Sequence, residues 1–118
     1  MTRPKPSIDD AVDLFIRTLA EHEITAEELA FYRIIGGSEE PLRLAEIAHL
    51  LEKRYNIGLA TATVYTRIES FVRKGTVHVE QTRNQESPLD GRRPVRYFGL
   101  TARTQETILP AFASFNYN

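Results

Sequence analysis

The chain contains no cysteine, which excludes disulfides, thiolate metal sites and thiol nucleophiles. Histidine is almost as scarce. His22, His49 and His78 are the only three, and they stand far apart with no cysteine to complete a ligand set, so no metal site is expected. No apolar run approaches the roughly 18 residues that a membrane-spanning helix needs. The opening Met1-Thr2-Arg3-Pro4-Lys5-Pro6 is basic but has no apolar stretch behind it, unlike an export signal. Internal repeats, low-complexity tracts, a glycine-rich phosphate loop, Gly-x-Ser-x-Gly and His-Glu-x-x-His are all absent. The acid pairs Asp9-Asp10, Glu27-Glu28 and Glu39-Glu40 read as solvated helix starts and loop charges, not as catalytic dyads. A cytoplasmic chain is expected, with no enzyme activity and no cofactor.

What is present suits one soluble domain: 118 residues, of which 42% are hydrophobic and 26% charged. The net charge of -1 hides an uneven distribution. Residues 1–42 carry 4 basic and 9 acidic side chains, whereas residues 43–103 carry 11 basic and 6 acidic ones. A nearly neutral chain with one basic segment fits contact with a polyanion on one face.

Residues 1–6 read as a loose arm. From Ser7 to Glu23 the residues Ile8, Val12, Phe15, Ile16 and Leu19 fall at helical spacing behind a Ser7/Asp10 capping pattern. Thr25 with Glu28 repeats that pattern and opens a second helix, which Gly36-Gly37 stops. Leu44, Ile47, Leu50, Leu51 and Tyr55 give the apolar stripe of a third helix over about 42–55, and Asn56-Ile57-Gly58 reads as a turn. A fourth helix, 61–74, carries Val64, Ile68, Phe71 and Val72 on one side and ends at Gly75. The period then changes. Thr76 to Thr82 alternates like a half-buried strand, polar residues 83–94 read as a hairpin loop, and Val95 to Leu100 is the returning strand. Thr101 is placed to cap a last helix that Pro110 kinks or ends.

This order predicts a mainly α fold with a small β-hairpin (α+β): a winged helix-turn-helix with an extra N-terminal helix and a short C-terminal helix. Residues 1–24 form an arm and accessory helix, 25–101 the winged-helix domain, and 102–118 a C-terminal helix and tail. In such a fold the second helix of the pair enters the major groove of double-stranded DNA, and the hairpin, here 76–100, reaches the phosphates or the minor groove. On helix 61–74 the residues Ala62, Thr63, Thr66, Ser70 and Arg73 face away from the apolar stripe, Arg67 lies at the edge and Tyr65 at its border. Small and hydroxyl side chains let a helix approach the groove closely, and Arg67 suits guanine or phosphate. Arg92 and Arg93 sit at the hairpin tip and Arg96 on its return strand, where guanidinium groups can grip phosphates. The expected DNA-binding set is Thr61, Thr63, Tyr65, Thr66, Arg67, Ser70, Arg73, Arg92, Arg93 and Arg96.

From Leu44 to Thr101 the chain resembles the winged-helix domain of PadR-like transcription regulators. The resemblance is carried by Ala45-Glu46-Ile47-Ala48 with Leu51 and Glu52, by Ala62-Thr63-Val64-Tyr65, by Lys74-Gly75, and by the run Gly91-Arg92-Arg93 through Tyr97-Phe98-Gly99-Leu100-Thr101. It implies a DNA-binding transcription regulator, with Tyr65 near the DNA backbone. Ile57-Gly58-Leu59-Ala60 with Thr63-Val64-Tyr65 is similar, more weakly, to the recognition segment of ferric-uptake-type regulators. A homodimer is expected, because the apolar stripe of helix one and the apolar tail both need covering; its interface residues are Ile8, Val12, Phe15, Leu19, Ile108, Phe112 and Phe115. Location at the nucleoid follows from DNA binding. A replication, partition or architectural DNA-binding protein of a plasmid or phage is the alternative reading, as is a winged helix used for protein–protein contact. A small-molecule effector is left open.

Overall fold

The computed structural model describes residues 8–81 and 95–115. The chain is mostly helical with one two-stranded antiparallel hairpin. Four helices come first: α1 (Ile8–Glu21), α2 (Ala26–Gly36), α3 (Leu44–Tyr55) and α4 (Thr61–Lys74). The strands β1 (Val77–Gln81) and β2 (Arg96–Leu100) follow.

Local chemistry sets most of these boundaries. Thr25 caps α2 by accepting a hydrogen bond from the Glu28 amide at 3.0 Å, and Glu27 and Glu28 place negative charge at the positive end of its dipole. Glu46 does similar work for α3, its carboxylate accepting from the Arg43 amide at 3.3 Å and from Arg43 Nε at 3.1 Å. α3 ends on Asn56 and α4 on Gly75, both in the left-handed region, with φ of 55° and 86°. No neighbour stands within 4 Å of a Cβ built at Gly75, so backbone conformation alone makes glycine the favoured residue there.

The third helix begins at Leu44, where its apolar stripe begins and two residues after the expected start near residue 42. Leu42 is extended and pairs with Phe98, each amide donating to the other's carbonyl, at 3.0 and 2.8 Å. Leu42 thus borders the hairpin instead of opening α3. Within the hairpin the register runs from Val77 opposite Leu100 to Gln81 opposite Arg96. Val77, Phe98 and Leu100 turn inward and are buried.

One core joins α2, α3, α4, the hairpin and the C-terminal segment. Phe31, Tyr32, Ile47, Leu51, Val64 and Ile68 are each sealed from solvent at its centre. A Cβ at Gly36 would come within 2.7 Å of a Leu100 methyl and 2.8 Å of a Leu109 methyl, so a larger residue there would push these two side chains aside where the end of α2 meets β2 and the C-terminus. Thr101 heads the last segment, its carbonyl accepting from the Gln105 amide at 3.1 Å. Its hydroxyl, however, reaches back to the Gly75 carbonyl at 2.9 Å. The segment is a π turn (Thr104–Ile108), then α5 (Leu109–Ala111) and a 3₁₀ turn (Ala113–Phe115). Pro110 has no amide to donate and its ring would strike the Glu106 carbonyl in a regular helix, which accounts for the widened turn before it.

The C-terminal segment requires a correction to the expected dimer surface. Ile108 and Phe112 are buried in the chain's own core and are unavailable to a second chain. The tail folds back under α1, where Phe15 meets Phe112 and Phe115 edge-on at centroid distances of 5.9 and 5.3 Å. Phe15, Leu19 and Phe115 are half-buried by this packing, whereas Ile8 and Val12 remain exposed. Among the described residues no helix is long and apolar enough to cross a membrane.

Candidate nucleic-acid interface

α4 is held on one side by Val64, Ile68 and Phe71, all buried. At 3.6 residues per turn the opposite side presents Ala62, Thr66, Ser70 and Arg73. Thr61, Ala62, Thr66, Arg67 and Arg73 are exposed, and Thr63, Tyr65 and Ser70 are half-buried. The Thr66 hydroxyl donates to the Ala62 carbonyl at 3.0 Å and that of Ser70 to the Arg67 carbonyl at 2.8 Å. Both are thereby folded against their own helix and keep acceptor capacity outward.

The amino end of α4 differs from those of the other three long helices. α1, α2 and α3 each carry acid in the first turn, whereas α4 carries none, and its N-cap Ala60 offers no side-chain hydrogen bond. The first amides of α4 and the positive end of its dipole are left open to a negative group from outside. The signal was available in the sequence, as an alanine in the capping position and no carboxylate before Glu69.

The two flanks of α4 are unequal. Toward α2, Arg67 Nε bonds the Glu27 carboxylate at 2.8 Å. Two turns on, Lys74 Nζ bonds Glu28 at 2.8 Å and the Glu23 carbonyl at 3.0 Å. Arg67 thus lies along α2 with its charge partnered; sequence spacing alone does not reveal Glu27 as that partner. Toward the hairpin, Arg96 Nη1 donates to the Tyr65 hydroxyl at 3.3 Å. Among the described residues neither Arg73 nor Arg96 has a carboxylate within ion-pairing distance. Arg92 and Arg93 lie outside the described residues.

Behind this surface a buried polar relay fixes the end of α4. The Tyr32 hydroxyl donates to Glu28 and shares a 2.7 Å hydrogen bond with the Thr76 hydroxyl. Thr104 donates to the Thr76 carbonyl at 2.7 Å. Burial, and then the neighbouring Glu28 carboxylate, push the Tyr32 phenol above its ordinary range, which extends its role as a hydrogen-bond donor into alkaline pH.

Two open clefts flank the helices. One, of about 430 Å³, lies among Phe15 of α1, Leu29 and Arg33 of α2, and Tyr55 and Ile57 at the end of α3. The other, of about 400 Å³, is lined by Thr25, Glu27, Glu28, Arg67, Ser70 and Phe71. No group of three or more His, Asp or Glu side chains among the described residues is placed to hold a metal ion. Compared with family models, with characterised proteins and with solved structures, the chain gives no match in any of the three.

Proposed function

We propose that this protein binds double-stranded DNA sequence-specifically as a winged helix-turn-helix homodimer and acts as a transcription regulator. In this reading α3 and α4 are the helix pair, β1 and β2 are the wing, and the Leu42 pairing is the short third strand at the wing's base. α4 enters the major groove and the hairpin lies on the adjacent backbone.

One observation carries the reading. α4 exposes a face of small and hydroxyl side chains ending in Arg73, its amino end is free of acid, and Arg96 of the hairpin joins that surface at Tyr65. A face built this way lets a helix backbone approach base edges while cations at its rim meet phosphates. The ion pairs to Glu27 and Glu28 neutralise the α2 flank, so the polyanion docks on the hairpin flank. The basic balance of residues 43–103 agrees with this.

The test is fluorescence anisotropy with random duplex DNA over about 50–200 mM salt. The logarithm of affinity should fall linearly with the logarithm of salt concentration. Replacing Arg92 and Arg93 together with Ala should flatten that slope by about two, uniformly across sequences. Replacing Thr66 should instead change the ranking of sites. A wild type without affinity at low salt would overturn the reading.

A further inference from the structure

The geometry points to Tyr65 as a positioning residue that acts on DNA through Arg96, fixing the guanidinium at the edge of the recognition surface without touching the polyanion itself. This inference rests on the DNA-binding reading above.

Strand alternation places Arg96 on the same face of β2 as Phe98 and Leu100, which are buried. Arg96 occupies the end of β2 where the sheet has run beyond the core, so its side chain comes down on α4 and remains exposed. Tyr65 stands on the hairpin-side edge of α4, and its hydroxyl accepts from Arg96 Nη1 at 3.3 Å.

The acceptor's chemistry distinguishes this cation from its neighbours. Arg43, Arg67 and Lys74 are each bonded to a carboxylate, at 3.1, 2.8 and 2.8 Å. Such a pair cancels charge and must be broken before a phosphate can take its place. A phenol is neutral at physiological pH. It orients the guanidinium with one hydrogen bond and leaves the full positive charge, with the remaining N–H donors of the fork, for a phosphate. Holding a long side chain in one position also removes part of its rotamer entropy before binding. Tyr65 is half-buried, so its ring is itself held while the hydroxyl reaches the surface.

A double-mutant cycle on the full chain separates this role from the two others open to Tyr65. The variants are Tyr65→Phe, Arg96→Ala and the pair, measured against duplex DNA by anisotropy across a salt series. Arg96→Ala should weaken binding about tenfold and reduce the salt slope by about one. Tyr65→Phe keeps the ring, and with it the fold and melting temperature. It should weaken binding about three- to tenfold while keeping the wild-type slope. In the Arg96→Ala background the same change should cost nothing. If the two losses add, Tyr65 contacts DNA directly and the inference fails. If Tyr65→Phe binds like the wild type, the hydroxyl has no role and the inference also fails. A wild type that binds no DNA overturns the functional reading itself, an outcome separate from either result of the cycle.

Discussion

Tyr32 is a phenol sealed inside the core, and it survives there because every polar atom around it is matched. Its hydroxyl joins Glu28 to Thr76. Thr76 supplies the proton of the bond it shares with Tyr32, its oxygen also stands 3.2 Å from the Phe71 carbonyl, and Thr104 closes the relay on the Thr76 carbonyl. Among the described residues no buried side-chain nitrogen or oxygen is left without a partner. Tyr32→Phe keeps the packing and removes one link, so it should lower stability by about 1–2 kcal/mol in chemical denaturation. The pH dependence has a definite sign. The fold favours the neutral phenol and raises its pKa. The corresponding stability is therefore complete below the ordinary tyrosine value of about 10 and is lost as pH rises above it. Tyr32→Phe should lose stability less steeply than the wild type above about pH 10. Identical alkaline profiles would show that the phenol does not carry this coupling.

At the scale of elements, α2 and α4 are joined by an exchangeable contact. Arg67 and Glu27 are both partly exposed, with side chains 46% and 35% accessible, so their ion pair contributes less than about 1 kcal/mol to stability. In the proposed DNA-binding reading its larger consequence falls on binding, because the Glu27 carboxylate occupies the guanidinium that a phosphate would otherwise take. Glu27→Gln should leave the melting temperature nearly unchanged and tighten DNA binding about two- to fivefold, with a salt slope steeper by up to about one. Weaker binding would mean that Arg67 needs Glu27 to be correctly placed. Contacts of this kind also mark where the sequence stops being legible. The Thr25 cap, the Gly75 stop and the outward face of α4 follow from neighbours within one or two turns, and spacing alone locates them. Leu42 looks like the first apolar residue of α3 because its partner, Phe98, lies across the fold. The Glu27–Arg67 and Tyr65–Arg96 contacts likewise join residues far apart in the chain. Ile108 and Phe112 have the same spacing whether their own core or a second chain covers them, so periodicity could not assign them.

For the whole molecule, the unresolved balance lies along α1. No residue of that helix is buried. Its C-terminal half is anchored by Phe15 and Leu19 on the core, and His22 beyond its end rests against Phe112 at 5.8 Å. Beside and before that anchorage an apolar row stays open, with Ile8 82%, Val12 49% and Ile16 56% exposed. These residues stand four apart and form one continuous apolar stripe, which costs free energy in water unless something covers it. In the proposed homodimer a second copy does so, and the two-fold axis sets two α4 helices about 34 Å apart, one turn of DNA. Light scattering at micromolar concentration should give a dimer. Replacing Val12 and Ile16 together with Glu should give a monomer whose melting temperature stays within a few degrees of the wild type, because both side chains are already exposed within one chain. That monomer should still bind a single half-site and lose the added affinity of a palindrome. Phe112→Glu is the contrasting variant: it buries a charge in the core and should unfold the chain outright. A wild type that remains monomeric at high concentration, with full affinity for a palindromic site, would leave the stripe without a dimer role and confine recognition to one α4 and one hairpin.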